Sequence, residues 1–245
     1  MRRWPAATHT CFVTDEWFRS PEWTEQARAE FGQRLRRARP TSRAQYLRIK
    51  GLALAGAGNN DGAIELLRRV TAEYPDEWIQ VAPAYESLGA LLRAEGDLAG
   101  AEAALRSAIE ASPTLNATTG EVRIALGEVV LESGASRADE VAQLLAESRD
   151  DGQLNTTVFR WNVLSARLAA LRGDAEAARI AAEGALALVD APPQFARHPT
   201  VGIARPSDEL LAELERLARP SRAGAGAKTA TSRRRLWRAV RGSGE

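Results

Sequence analysis

Small, apolar and polar positions along this chain recur with a period of 34 residues, twice in good form and twice more in worn form. With Ala44 as position 1, Gly51, Gly58, Ala63 and Pro75 fall at 8, 15, 20 and 32. With Ala82 as position 1, Gly89, Gly96, Ala101, Ala108 and Pro113 fall at 8, 15, 20, 27 and 32, and Tyr85, Leu88, Leu92 and Leu105 occupy apolar positions between them. The two starts are 38 residues apart, so the first connection is four residues longer than the period, around residues 77–81. A third copy from Gly120 has Leu126, Gly127, Val130 and Gly134 at 7, 8, 11 and 15 and then loses register. Val141, Ala142, Leu144 and Leu145 still keep helical spacing across residues 138–148. A fourth copy from Phe159 places Ala166, Ala169, Gly173, Ala178, Ala182 and Ala185 at 8, 11, 15, 20, 24 and 27.

Each position has a steric reason. Small residues at 8, 20 and 27 let two helices approach closely, and Leu or aromatic residues at 4, 7, 11 and 24 fill the space between turns. Glycine at 15 supplies the left-handed conformation that ends a first helix. Asp97 and Asp174 follow such glycines and cap a second helix. Proline at 32 disfavours helix in the residue before it, so the second helix stops near there. The predicted unit is a helix-turn-helix hairpin stacking on the next.

This set of positions resembles the tetratricopeptide repeat family over residues 44–190. The resemblance implies an all-α fold: a right-handed superhelical α-solenoid of about four helix-turn-helix repeats with capping helices at both ends. The chain then divides into an aromatic-rich cap at 1–43, the repeats at 44–190, an extended segment and capping helix at 191–218, and a basic tail at 219–245.

The flanks are expected to close the array. Ser20 before Pro21 reads as a helix start, and Trp23, Ala27, Phe31 and Leu35 form one stripe, predicting a helix over 21–38. Phe12, Trp17 and Phe18 add large side chains near its beginning, suited to covering the open end of the first repeat. No polar residues converge on these tryptophans in the sequence, so they read as packing and not as a ligand cage. Downstream, Pro192, Pro193, Pro199 and Pro206 predict an extended segment. Ser207 then caps a short amphipathic helix bearing Leu210, Leu211, Leu214 and Leu217.

Charge is segregated along the chain. Residues 1–43 carry nine basic and five acidic side chains, and residues 219–245 carry eight and one. With a formal net charge of +1 overall, residues 44–218 hold −10. An acidic repeat region between basic ends favours basic ligands, or a tail folding back onto it; a solvated charged surface is the bland reading. The tail ends in Arg233, Arg234, Arg235, Leu236, Trp237, Arg238, Ala239, Val240 and Arg241. That patch suits an anionic membrane surface, a nucleic-acid backbone or the acidic repeats, against a plain disordered tail.

Catalytic chemistry is not expected. The chain has no GxSxG, GxxxxGK or HExxH motif, and no cofactor site is predicted. Its single cysteine, Cys11, excludes an internal disulfide, and His198 has no companion at ligand spacing, so no metal is expected. No run of about 18 apolar residues predicts a membrane span, and the Arg-rich start lacks an apolar stretch behind it, so a cytoplasmic setting is expected. The basic residues number 33, of which only Lys50 and Lys228 are lysine, a bias that with abundant alanine suits a GC-rich bacterial coding sequence.

The resemblance also implies a ligand face. Tetratricopeptide domains bind extended or helical peptide segments in a concave groove lined by first-helix positions 2, 5, 6, 9, 12 and 13. Here these implied groove residues are Arg48 and Leu52; Glu86, Ala90 and Arg93; Glu121, Glu128 and Glu132; and Arg160 and Arg167. The family's clamp for a chaperone's C-terminal carboxylates is not reproduced, because Leu52, Ser87 and Glu121 stand at clamp positions. The resemblance therefore implies a non-enzymatic adaptor or scaffold for a protein or peptide partner. The alternative is an adaptor that engages nucleic acid or an anionic membrane through Arg233, Arg234, Arg235, Trp237, Arg238 and Arg241.

Overall fold

A computed structural model of the 245-residue chain describes residues 16–149, 154–189 and 191–220. These residues form ten α-helices and two short 3-10 turns, with no strand among them. Phe12, Cys11 and the tail from Arg233 to Arg241 lie outside the described residues. Contacts divide the chain into two compact units, Met1–Gln153 and Leu154–Glu245.

In the first unit, a 3-10 turn at Trp17–Arg19 precedes α1 (Glu25–Arg37), followed by α2 (Pro40–Gly56), α3 (Asn60–Glu73), α4 (Trp78–Ala94), α5 (Leu98–Ala111), α6 (Val122–Ser133) and α7 (Ala138–Glu147). Each helix from α2 to α7 packs on the next, and α2 also touches α4, and α4 touches α6. The first-helix register is shared: Ala44 and Ala82 are each the fifth residue of a 17-residue helix. The four extra residues of the first connection are absorbed as the opening turn of α4.

The hairpin turns follow from one glycine and one cap. Gly58 and Gly96 hold φ of +80° and +83°, the left-handed conformation. The next residues, Asn59 and Asp97, donate their backbone N–H back to Leu54 and Leu92, both at 2.9 Å, the six-to-one bond of a Schellman end. Their side chains then accept from the N–H of Gly62 (3.0 Å) and Gly100 (2.8 Å), so one residue closes the first helix and opens the second. Leu47 and Leu54 of α2 and Ala63, Leu66, Leu67 and Val70 of α3 are fully buried, at about 1.5–3 kcal/mol for each large aliphatic side chain.

The third copy departs here. Gly134 lies at φ 148° and ψ 155°, and a 3-10 turn at Ala135–Arg137 intervenes before α7. With no capping side chain at Gly134 or Arg137, α7 is only 10 residues long.

One boundary needs correction. The first flanking helix does not run over 21–38; it begins at Glu25, capped by Thr24 Oγ1, which accepts from Ala27 N–H at 3.2 Å. Ser20 Oγ instead accepts from Glu22 N–H at 3.2 Å, and the carbonyls of Ser20 and Glu22 turn toward the side chain of Lys50. Two of the flank's aromatic rings pack on the helices that follow: Phe18 stacks on Tyr46 of α2 with centroids 4.6 Å apart, and Trp17 lies 5.1 Å from Phe31. Arg43 of α2 completes the junction by donating to the carbonyls of Arg36 (2.7 Å) and Ala38 (3.2 Å) at the end of α1.

The second unit contains α8 (Asn155–Leu171), α9 (Ala175–Val189) and α10 (Asp208–Ala218). Phe159 is the fifth residue of α8, as Ala44 is of α2. Gly173 holds φ of +74°, and Asp174 Oδ1 caps α9 by accepting from Ala177 N–H at 3.0 Å. Residues 191–206 carry no helix or strand. They are nevertheless anchored, because Gln194 Oε1 accepts from Asn155 N–H at 3.0 Å and Ala204 is buried with Phe159, Val163, Ala182 and Leu214. Ser207 Oγ caps α10 by accepting from Leu210 N–H at 3.3 Å, and α10 packs on α9.

Candidate functional site

The predicted groove residues of the first unit fall on α2, α4 and α6, and side-chain bonds tie these helices side by side. Arg48 Nε on α2 donates to Gln80 Oε1 on α4 at 2.8 Å, and burial lowers the pKa of its guanidinium. Leu52, one turn further along α2, is 40 % exposed. On α4, Ala90 is exposed, and Glu86 accepts from the N–H (3.0 Å) and the hydroxyl of Thr119, in the loop ahead of α6. That loop holds Leu115 and Ala117 at φ of 56° and 68°, a strained path that the Glu86 bonds help to fix.

Arg93 is the centre of the face. Its guanidinium donates to Glu128 and, through Nε at 3.0 Å and Nη2 at 2.5 Å, to both oxygens of Glu132. The bonds to these carboxylates, Glu132 first, raise its pKa against the opposing effect of burial. Glu128 is the inner partner at 10 % side-chain exposure and Glu132 the outer at 40 %. Glu121 sits at the N-terminus of α6 and is itself engaged. Arg93 thus offsets one of the two negative charges it meets, and the predicted groove of the first unit stays acidic.

The fourth-copy residues belong to the second unit. Arg167 on α8 donates bidentately to Glu213 on α10, at 2.9 and 2.7 Å, and this bond lowers the pKa of Glu213. Arg160, also on α8, is engaged too.

Two constellations were not read from the sequence. The first joins second helices: Arg137 donates to Glu102 at 2.7 and 2.8 Å and to Glu140 at 2.8 Å, while Arg106 bridges the same two carboxylates. Hydrogen bonding from Arg137, with Arg106 behind it, holds the Glu102 carboxyl at about 2. Beside it, Arg106, Ile109, Leu126, Glu140 and Leu144 line a cleft of about 450 Å³ between α5, α6 and α7.

The second constellation is Lys50, 2 % exposed, whose ammonium reaches the carbonyls of Ser20 and Glu22 and lies over Trp23 and Phe31. Desolvation lowers its pKa, partly countered by Glu22. The aromatic flank therefore does gather polar groups, contrary to the sequence reading. The available signal was a lysine at position 7, where the next two copies have Leu88 and Leu126.

Among the described residues, no group of three or more His, Cys, Asp or Glu side chains is placed to hold a metal ion. Nor is any described helix long and apolar enough to cross a membrane. No protein-family model matches the chain, and no curated protein matches it.

Proposed function

We propose that this chain is a non-enzymatic interaction scaffold, a solenoid of tetratricopeptide-like hairpins whose first-helix face holds a segment of a partner protein. The observation that carries this reading is the continuous face formed by α2, α4 and α6, in which Arg48, Glu86 and Arg93 stitch neighbours together while Leu52 and Ala90 remain exposed. Apolar contact at Leu52 and Ala90 supplies affinity. Specificity comes from charge complementary to the outer carboxylate of Glu132, which is 40 % exposed, while the inner Glu128 stays paired with Arg93.

A photo-crosslinking amino acid placed at Leu52 or Ala90 of the full chain tests this in its native lysate. Both positions should capture the same polypeptide, and a control at Ala103, an exposed position on the second helix α5, should not. Equal capture at all three positions, or capture at Ala103 alone, sinks the reading. Loss of capture on changing Arg233, Arg234, Arg235, Arg238 and Arg241 to alanine would move recognition to the tail instead.

A further inference from the structure

Lys50 is a residue of the first hairpin whose chemistry contradicts its place. Position 7 is filled by Leu88 and Leu126 in the next two copies, yet Lys50 is as buried as they are, at 2 % exposure. A buried ammonium is costly unless groups of opposite polarity replace its water. Four such groups surround Nζ. The carbonyl oxygens of Ser20 and Glu22 accept from it at 2.5 and 2.9 Å, and the ring centroids of Trp23 and Phe31 lie at 5.4 and 5.7 Å. Carbonyl dipoles and ring faces alike present negative potential to a cation, and the attraction of a cation to an aromatic face strengthens when water is excluded.

The surrounding backbone is arranged for this. The carbonyls of Ser20 and Glu22 converge because the chain stays non-helical until Thr24 caps α1. Trp23 is pressed against α3, where a Cβ on Gly62 would lie 2.7 Å from its ring. A cavity of about 180 Å³, lined in part by Trp17, Ser20, Phe31 and Lys50, adjoins the ammonium. A guanidinium does not suit this geometry. Its planar fork demands acceptors in its own plane, whereas a compact ammonium accepts partners from several directions.

We infer that the N-terminal flank and α2 build an ammonium-binding cage for a primary alkylammonium, and that Lys50 supplies this ligand from within the chain. The bond thus made fastens the segment 17–24 to the first hairpin. Charge, more than side-chain bulk, holds this segment down.

The test uses the full chain with Lys50→Ala and Lys50→Met. Lys50→Ala empties the cage, so n-propylammonium should raise its melting temperature while n-propanol at equal concentration does not; wild type, its cage filled, should not respond to either. Lys50→Met keeps the apolar stem without the charge, and amide hydrogen exchange in residues 17–24 should be about tenfold faster than in wild type, with α4 and α5 unchanged. Protection of 17–24 in Lys50→Met equal to wild type overturns the inference. So does a Lys50→Ala protein that responds alike to the amine and the alcohol, or to neither. Should Lys50→Ala fail to fold, the exchange experiment on Lys50→Met decides.

Discussion

Replacing Arg93 with alanine tests whether the predicted groove is held together by its own charges. The two carboxylates it serves differ in environment, and the expected cost follows from that difference. Glu132 is 40 % exposed, so its pair with Arg93 is worth about 0.5–1 kcal/mol in the manner of surface pairs. Glu128 is only 10 % exposed, and a hydrogen bond to a charged group in such a place contributes about 1.5–3 kcal/mol. The full penalty of about 3–5 kcal/mol for breaking a buried pair does not apply, because Arg93 itself is 28 % exposed. Arg93→Ala should therefore destabilise by about 2–4 kcal/mol. Adding Glu128→Gln should return about 1 kcal/mol, since the neutral amide no longer lacks a cation. The assay is urea unfolding of wild type, both single variants and the double variant, followed by far-ultraviolet circular dichroism. A coupling energy below about 0.3 kcal/mol would show that the Arg93–Glu128 pair contributes nothing, and the α4–α6 contact would lose its inner electrostatic tie.

Three further outcomes follow from the space around two glycines, the positive φ of a third and one carboxylate. A Cβ at Gly89 would lie 2.6 Å from Leu105 Cγ, whereas at the equivalent Gly51 the nearest atom, Leu67 Cγ, is 3.2 Å away. Alanine gains up to about 1 kcal/mol over glycine in a helix, and overpacking costs about 1–3 kcal/mol. Gly89→Ala should then lower the urea midpoint while Gly51→Ala leaves it unchanged or higher. Gly96→Ala forces a side chain to φ +83° and should cost about 1 kcal/mol in the same assay. Glu102 has its pKa depressed from 4.5 to about 2, so its stabilising effect is complete above about 4.5 and is lost as pH falls toward 2. The stability difference between wild type and Glu102→Gln should shrink steadily over that acid range, and a difference independent of pH would refute the assignment.

The helices were legible because their punctuation is local. Gly58, Gly96 and Gly173 end the first helix of their hairpins, and Asp97 and Asp174 open the second, within two residues of sequence. The loss of register after Gly134 was equally visible and corresponds to a turn without a side-chain cap. The pairing of the groove charges was not legible. Arg93 meets Glu132 across 39 residues, a separation fixed by the looped path that turns at Leu115 and Ala117, two non-glycine residues at positive φ, as well as at Gly120. Ser20 before Pro21 looked like a cap because nothing in the local sequence shows that Lys50, 30 residues on, takes its carbonyl. Lys50 occupies position 7 of the first copy, where Leu88 and Leu126 stand in the next two. A cation at an apolar position is the one local sign that a cage was needed.

The central claim is that a polypeptide binds along the α2–α4–α6 face. The most direct measurement is calorimetric titration of a peptide, selected from a random display library on the full chain, into wild type and into the double variant Leu52→Glu with Ala90→Glu. The account predicts at least about tenfold weaker binding by the double variant, equivalent to about 1.4 kcal/mol, and unchanged binding by Ala103→Arg on α5. Equal affinity of wild type and the double variant, or a loss confined to Ala103→Arg, would contradict it.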